Sequence, residues 1–339
     1  MFSFGATDYA YFSDMANAWD WCVLHQYDDL NNPIMIISTS FGGGRYSGNC
    51  DSAYSLLTHA AANAMAAGMT LFLSSGNDGY CDSMGYPACL DSVISVGAVY
   101  DANIGRNPTT GYVGCISYGS CVGTPDPDQI CEKLYIDVTT NVDQICTYSN
   151  SSKFASLLAP SNWATTTKLG GGYWDTANGF GGTSAACPYA AGAAACLQSA
   201  AKAITGSYLT HHQVKATLVD TGDLITDGKV NITKPRVNLG AAVPTLYSLI
   251  VPTAPTITVT TSGVIATVSW DAVAHANGYI LNYTPYPYTG PDSIVRVDKK
   301  TQTSASLDLW RGAAFYVAVQ AYNFIGDSNY SNIEYFIID

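Results

Sequence analysis

The chain of 339 residues is long enough for two domains, and its hydrophobic fraction of 47% provides for at least one sizeable core. Only 12% of the residues are charged, whereas about 25% are charged in an average soluble domain. The 26 acidic residues outnumber the 14 basic ones, for a formal net charge of -12. Because nucleic acid and anionic membrane surfaces repel such a chain, we expect neither as a partner. No apolar run approaches the roughly 20 residues that span a bilayer, so we expect no transmembrane anchor.

The ten cysteines lie mostly in loop-like sequence. They fall into short-range couples, such as Cys81 and Cys89, Cys115 and Cys121, and Cys131 and Cys146. No C-x-x-C pair occurs among them, which argues against a zinc site or a thioredoxin-type site. The pattern favours disulfide bonds, whose connectivity the sequence does not determine, and hence an extracellular, secreted protein.

The first half of the chain alternates helical and strand-like patterns. Apolar and aromatic residues recur at near-helical spacing from Phe12 to Gln26, and the apolar run 34–38 then predicts a buried strand that leads into the glycine loop 40–44. The alternation continues with a helix, a strand, a tight loop and a strand at 52–67, 69–74, 75–79 and 92–100. Helices between apolar strands predict an α/β fold with a parallel sheet, whose binding sites lie in loops at the carboxyl ends of the strands.

The pattern changes twice further along. Between about 101 and 146, Gly, Pro, Asn and Asp predominate around several cysteines, which predicts a cysteine-rich surface insertion. A helix is predicted at 184–203, and Thr210 with Gln213 forms a capping box that opens another.

A proline-marked linker at 249–255 separates a first domain, 1–248, from a second, 256–339. The second domain alternates without a helical period. Six strands are predicted in it, at 256–261, 264–270, 278–283, 293–297, 304–309 and 315–322. So many short strands in this length favour a β-sandwich.

Several stretches of the first domain carry a family resemblance. The sequence GTSAACP at 182–188 resembles the motif around the nucleophile of subtilisin-like serine peptidases (subtilases), and SGNDG at 75–79 resembles their oxyanion loop. Four further stretches also occur at the places that the family's order requires: IISTSFGG at 36–43, YPACLDSVISVGA at 86–98, LAP at 158–160 and RVNLGAAV at 236–243. A lone Gly-Thr-Ser is usually a helix N-cap and a lone Gly-Asn-Asp-Gly a turn, but six stretches in order indicate the family. The resemblance covers about 12–248, apart from the insertion, and implies a subtilisin-like domain.

The resemblance implies the roles of individual residues. Ser184 is the expected nucleophile, which forms an acyl-enzyme with a polypeptide substrate, and Asn77 is the expected donor to the oxyanion. A serine at a helix N-terminus lies near unpaired N–H groups and the positive end of the helix dipole, which favour developing negative charge. An extended substrate would pair as an added strand with residues that line the cleft. These are Ser40, Phe41, Gly42, Ser74, Ser75 and Gly76.

No cofactor and no metal are assigned. Asp78, Asp82 and Asp91 are loop carboxylates that a structural calcium ion could use, although loop acids are more often simply solvated.

Two triad motifs of the family do not occur in the chain. The family's aspartate and histidine precede its serine, and neither the D-T/S-G stretch nor the H-G-T-H stretch is found. None of the five histidines matches a catalytic position: His25, His59, His211, His212 and His275. Because a serine without a base is a weak nucleophile, we expect the chain alone to be inactive. The first 20 residues also lack signal-peptide features, so we expect further sequence ahead of Met1 rather than a natural loss of the base.

Two alternatives remain open. The chain could be a secreted pseudopeptidase that acts as a binding or scaffold protein through its second domain. It could also be a sedolisin-type carboxyl peptidase, which shares the G-T-S serine; that family has an aspartate at the oxyanion position, where this chain has Asn77.

The second domain resembles a fibronectin type III domain in Pro255, Trp270, Leu309 and the series 315–323, although the family usually has tyrosine where Phe315 stands. Such modules act as spacers or as adhesive domains, which leaves a protein or a polysaccharide as its candidate partner. N-x-S/T sequons, which are acceptors only in a eukaryotic source, occur at Asn150, Asn231, Asn282 and Asn329.

Overall fold

The fold is described from a computed structural model. The described residues are 11–105, 137, 140–162, 164–168, 170–174, 180–228 and 230–339. Most of the predicted insertion, with Cys115, Cys121 and Cys131, lies outside them. The chain divides into two compact units, Met1–Pro244 and Thr245–Asp339.

The first unit is built on one central sheet. Its helices are α1 (Phe12–Leu24), α2 (Ser55–Ala66), α3 (Thr183–Thr205), α4 (His211–Asp220) and α5 (Leu239–Thr245). Its strands are β1 (Ile36–Thr39), β2 (Gly43–Tyr46), β3 (Thr70–Ser74), β4 (Met84–Tyr86), β5 (Ile94–Tyr100), β6 (Leu157–Ser161), β7 (Thr166–Thr167), β8 (Tyr173–Trp174), β9 (Asp223–Asp227) and β10 (Ile232–Arg236). The sheet has the order β1-β3-β5-β6-β10-β9. Its neighbours run parallel, except that β9 and β10 are antiparallel.

The helices pack so that the first turn of α3 meets the loops that follow β1 and β3. Helix α3 packs against β1, β3, β5 and β6, and α2 packs against α1 and β3. Because side chains alternate along a strand, Leu71 and Leu73 of β3 face the core that also contains Trp19 of α1 and Leu57 of α2. The neighbouring Phe72 is also fully buried, so β3 is covered on both faces.

The helices and strands predicted for this unit are confirmed, with ends shifted by a few residues. The first helix ends at Leu24, ahead of the predicted Gln26. The antiparallel pair β9 and β10 was not predicted, because Pro235 stands within β10 and residues 223–227 alternate without an apolar face. The capping box of Thr210 and Gln213 is confirmed at the start of α4.

The cysteines depart from the short-range couples of the sequence. Cys50 forms a disulfide with Cys89, 39 residues later in the chain. Cys81, which the spacing couples with Cys89, is in a different disulfide. Cys146 is a thiol that accepts a hydrogen bond from Asn162 Nδ2 at 3.0 Å. Sequence spacing fails here because the fold brings the end of β4 and its loop back to the segment before α2.

The second unit contains two antiparallel sheets. Its strands are β11 (Ile257–Ser262), β12 (Ile265–Trp270), β13 (Gly278–Pro285), β14 (Val295–Lys300), β15 (Ser304–Asp308), β16 (Ala314–Tyr322) and β17 (Glu334–Ile337). They form the sheets β11-β12-β15 and β14-β13-β16-β17, which share one core. The six predicted strands are confirmed. Strand β17 was missed because Tyr335 and Ile337, on its outer face, are apolar and about half exposed, which hides the usual alternation.

The resemblance of this unit to fibronectin type III domains stays a prediction. None of the described helices, in either unit, combines the length and apolar character that a membrane crossing needs.

Candidate active site

Ser184 is the second residue of α3 and is partly buried. The residue before the helix, Gly182, has φ 81°, a left-handed conformation that glycine adopts without strain. The carbonyl oxygen of Ser184 accepts a hydrogen bond from Ser40 Oγ at 3.0 Å, which ties α3 to the loop after β1. Within the described ranges, no group hydrogen-bonds the Ser184 hydroxyl. The serine therefore lies at the positive end of a long helix with its Oγ unengaged.

Asn77 lies directly against this first turn. Its Oδ1 accepts hydrogen bonds from Thr183 N at 2.8 Å and from Thr183 Oγ1 at 2.9 Å. These two bonds fix the orientation of the amide and leave Nδ2 as the outward donor. A Cβ on Gly182 would lie 3.1 Å from Asn77 Nδ2, so the donor runs alongside the turn that carries Ser184. The structure thus brings together two of the predicted site residues that are 107 positions apart in the sequence.

The loop that carries Asn77 is held by Asn150, whose only feature in the sequence is that it begins a sequon. Asn150 is 3% exposed. Its Oδ1 accepts from the backbone N–H groups of Asp78 and Tyr80, each at 3.0 Å, and its Nδ2 donates to the Ser75 carbonyl at 3.0 Å and to Asp78 Oδ2 at 3.2 Å. Because its amide is buried and engaged at both ends, Asn150 is a structural clamp and not an accessible glycosylation acceptor.

The turn before Ser184 is held from the other side. Ser161 Oγ donates to the Gly182 carbonyl at 2.6 Å. The Tyr148 hydroxyl lies 3.1 Å from Ser161 Oγ and donates to Asn162 Oδ1 at 2.9 Å. Burial, and then the neighbouring Cys146, raises the pKa of Tyr148 far above its ordinary value, so the phenol stays a neutral donor. The sequence did not indicate these residues, because contacts between loops produce no regular spacing of residue types.

The six predicted substrate-lining residues lie in two places: residues 40–42 in the loop after β1, and residues 74–76 at the end of β3 and just beyond it. Phe41 is 37% exposed and Ser40 is exposed, so both can meet a substrate. Gly42 lies where a Cβ would be 2.1 Å from the Tyr86 carbonyl oxygen, so the loop has no room for a side chain at this position. Ser74 ends β3 and Gly76, at φ 105°, follows it.

Ser75 does not fit the predicted role. It is completely buried, its N–H donates to the Val96 carbonyl at 3.0 Å, and its own carbonyl accepts from Gly85 N at 2.9 Å and from Asn150. Its backbone groups are therefore used inside the fold, so it supports the loop rather than contacting a substrate.

The histidines of the described structure have other surroundings than the first turn of α3. His25 forms a 2.7 Å contact with Asp28 and stacks on Trp21 at the end of α1. His211 is buried at the start of α4, where desolvation lowers its pKa to about 4. In the described part of the chain, none of the five hydrogen-bonds or stacks against residues 182–184.

A second potential nucleophile lies close by and is inert. Cys187, one turn beyond Ser184, is fully buried, with its Sγ 3.5 Å from Ser38 Oγ and 3.7 Å from the Thr39 carbonyl. Burial raises the pKa of its thiol, so it remains protonated at neutral pH.

No metal site is assigned. Among the described residues, no group of three His, Cys, Asp or Glu side chains could hold an ion. Of the loop carboxylates, Asp82 pairs with Arg45 at 3.0 Å and Asp78 accepts from Asn150.

Comparison with known proteins identifies the family. The model of the subtilase family matches residues 3–240. The chain belongs to the subtilase family. This subtilase is 27% identical over 205 residues to an intracellular serine protease of Paenibacillus polymyxa, a match that covers 59% of the chain and 47% of that protein. The chain thus spans about half the length of this relative.

Comparison with solved structures matches two maturation proteases. The prenylagaramide maturation protease PagA is 21% identical, with a TM-score of 0.49 and coverage of 72% of this chain and 71% of that one. The patellamide maturation protease PatA is 21% identical, with a TM-score of 0.47 and coverage of 69% and 68%. The family establishes a subtilisin-like α/β fold with a parallel sheet and a serine-protease relationship.

Proposed function

We propose that the chain is the nucleophile-bearing part of a secreted subtilisin-type serine endopeptidase. The contact of Asn77 with the first turn of α3 carries this proposal, because it sets an amide donor beside the serine. Ser184 Oγ attacks the carbonyl of an extended peptide while its proton passes to a base. The C–N bond then breaks, the amine leaves with a proton, and water hydrolyses the acyl-enzyme ester.

Asn77 Nδ2 is the donor that stabilises the tetrahedral oxyanion in this scheme. Removing one such donor costs about 10²–10³ in rate, a magnitude that comes from a subtilisin. The amide also argues against the sedolisin-type alternative, which requires a carboxylic acid at this position.

We propose further that the aspartate and the histidine come from a polypeptide segment outside residues 1–339, and that the chain alone is inactive. Two surfaces of the first unit are suited to contact such a segment: the β1 edge of the sheet with the groove near it, and the exposed face of α3. Strand β1 is the edge of the sheet, and none of its residues is charged. A groove of about 530 Å³ runs between residues 31–36 and α3.

The exposed face of α3 is the second surface. No charged residue occurs in this helix before Lys202. Its outward-facing residues are Pro188, Tyr189, Gly192, Ala195, Cys196 and Ser199. A helix that is this apolar all round is normally covered by other parts of a fold. A segment that adds a strand to β1 and continues over α3 would cover both surfaces and would bring new side chains toward Ser184.

A fluorophosphonate probe tests the proposal. The coding region is expressed from Met1 and, separately, with any in-frame sequence ahead of it, each as wild type and as Ser184→Ala. We expect labelling and casein hydrolysis only in the longer wild-type protein. Ser207→Ala, which removes an exposed serine just beyond α3, serves as the matched control and keeps both activities.

Three outcomes contradict the proposal. Hydrolysis that survives Ser184→Ala excludes this serine as the nucleophile. Strong labelling of Ser184 in the chain that starts at Met1 shows that a base is already present. A stop codon directly ahead of Met1, with no labelling of the chain, favours the secreted pseudopeptidase. Secretion itself is tested by detecting the Cys50–Cys89 disulfide in protein recovered from the culture medium of the source.

A further inference from the structure

A groove of about 490 Å³ lies on the four-stranded sheet of the second unit. Its floor contains Asn282 and Thr284 of β13, which are 3% and 7% exposed. Its walls contain Tyr288 and Tyr330, which are 50% and 46% exposed. The volume and the mixture of aromatic walls with a few polar groups are those of small-molecule sites in proteins.

The aromatic wall extends beyond the groove as a packed cluster. Tyr316, which also lines the groove, has its ring centroid 5.8 Å from that of Tyr286 and 5.5 Å from that of Tyr335. Tyr286 and Tyr335 are themselves 5.2 Å apart. Rings that brace one another in this way form a fixed apolar surface with hydroxyl groups at its rim.

The electrostatics of the groove point to an uncharged ligand. None of the residues that line it in the described structure is charged. Arg296, the cross-strand neighbour of Asn282, is already paired with Asp327 at 2.5 Å. A charged ligand would lose its hydration in the groove without gaining an opposite charge.

The floor has spare capacity to accept hydrogen bonds. Gln320 Nε2 donates to the Ser328 carbonyl at 2.8 Å, which orients its Oε1 toward Asn282. Asn282 Nδ2 then donates to Gln320 Oε1 at 3.3 Å and to the Ile280 carbonyl at 3.1 Å. These bonds fix the Asn282 amide, and its buried Oδ1 receives no hydrogen bond from the described residues. Once a small side-chain movement exposes this oxygen, a ligand that donates a hydrogen bond satisfies it, so the floor favours such ligands.

We propose that this groove binds a neutral saccharide. A pyranose ring presents an apolar face of C–H groups to the tyrosine rings and hydroxyl groups to the polar floor and to the phenol rim. A proline-rich peptide is the other ligand that aromatic grooves favour, but proline has no N–H to donate, so it leaves the acceptor on the floor unsatisfied. The groove belongs to the second unit and Ser184 to the first, and the proposal does not depend on the peptidase activity.

Isothermal titration calorimetry of the full chain with cellohexaose, chitohexaose and decaproline tests the proposal. We expect at least one of the two sugars to bind more tightly than decaproline. Tyr288→Ala and Tyr330→Ala should each weaken that binding about tenfold. Both residues lie on the surface, so circular dichroism should show an unchanged fold. Phe324→Ala, which removes an aromatic ring that is 69% exposed in the same unit but does not line the groove, should change the affinity by less than about twofold.

Absence of sugar binding at millimolar concentration overturns the proposal. So does sugar binding that both tyrosine variants leave intact, because the sugar would then lie elsewhere. Tighter binding of decaproline than of either sugar, lost in the tyrosine variants, would assign the groove to a proline-rich partner instead.

Discussion

Asn77 accepts two hydrogen bonds from Thr183, one from its backbone N–H and one from its hydroxyl. This contact joins the loop after β3 to the first turn of α3. It uses the oxygen of the Asn77 amide and does not use the nitrogen. The oxygen holds the loop against the helix, and the nitrogen is the donor that we propose for the oxyanion. The two functions can therefore be separated by substitution.

Asn77→Asp keeps an oxygen for Thr183 but removes the donor. In the complete peptidase proposed above, we expect it to lower kcat about 10²–10³-fold, the magnitude of a lost oxyanion donor in a subtilisin. We expect KM to change little, because the donor acts on charge that develops in the transition state. Steady-state kinetics on a peptide anilide measure both constants.

Asn77→Ala is the companion variant. It removes the bonds to Thr183 as well, so we expect it to lose as much activity and, in addition, about 1–2 kcal/mol of stability. Urea denaturation distinguishes the two variants. An Asn77→Asp protein with undiminished kcat would show that Asn77 only holds the helix.

Asn150 is expected to contribute strongly to stability. Asn150→Ala removes the acceptor of the Asp78 and Tyr80 N–H groups and one of the two donors to the Ser75 carbonyl, which keeps its bond from Gly85 N. We expect a loss of about 3 kcal/mol in the free energy of unfolding and faster amide exchange in residues 76–80. Asn329→Ala removes an exposed asparagine of another sequon and should stay within about 0.5 kcal/mol of wild type. Equal effects of the two substitutions would contradict the clamp.

The contrast between Asn77 and Asn150 shows what the sequence could predict. Alternating apolar periods predict α3 and β3, and the order of short motifs predicts that Ser184 and Asn77 meet. Asn150 lies in a loop, where apolar residues have no regular spacing, and its partners are backbone groups about 70 positions away. Side-chain bonds to distant backbone groups leave no local pattern, so a sequon was the only property of this asparagine that the sequence displayed.

Tertiary packing also explains why the sequence did not predict strand β17 and why Ser75 does not fit its predicted role. Strand β17 was hidden because the outer face of its sheet is aromatic, and that face forms part of the cluster beside the groove of the second unit. Ser75 was predicted to line the substrate cleft together with its neighbours Ser74 and Gly76, whereas its burial depends on contacts with β5 and with Gly85. In both places the local pattern was overridden by tertiary packing, which one sequence does not display.

Gly42 and Gly43 form a matched pair for testing the loop after β1. A Cβ on Gly42 would lie 2.1 Å from the Tyr86 carbonyl oxygen, whereas a Cβ on Gly43 would have no atom within 4 Å. We expect Gly42→Ala to cost about 2–3 kcal/mol of stability, because backbone must move to relieve the clash. Gly43→Ala should change stability by no more than about 0.5 kcal/mol.

The same pair probes the cleft. Ser40, two residues before Gly42, bonds the Ser184 carbonyl, so a displaced loop should also raise KM for extended peptides in the complete peptidase. Thermal unfolding and KM are measured on both variants. Similar values for the two would show that the loop adapts and that the close approach to Tyr86 is not needed.

His211 should make stability depend on pH. The residue is 2% exposed, its Nδ1 has no partner among the described residues, and burial lowers its pKa to about 4 in the folded state. In the unfolded chain the pKa is about 6.5, so between these values the unfolded state binds more protons and stability falls as the pH falls. The contribution is complete above about pH 6.5 and is lost on approaching pH 4, with a total of up to about 3 kcal/mol.

His211→Leu removes the titrating group and fills the same buried place. We expect urea denaturation to show a smaller loss of stability between pH 7 and pH 4.5 in this variant than in the wild type. His59→Gln, at an exposed position of α2, should retain the pH dependence of the wild type. Parallel curves for His211→Leu and the wild type would mean that His211 protonates as readily in the folded state as in the unfolded one, and that its burial at the start of α4 is relieved by local opening.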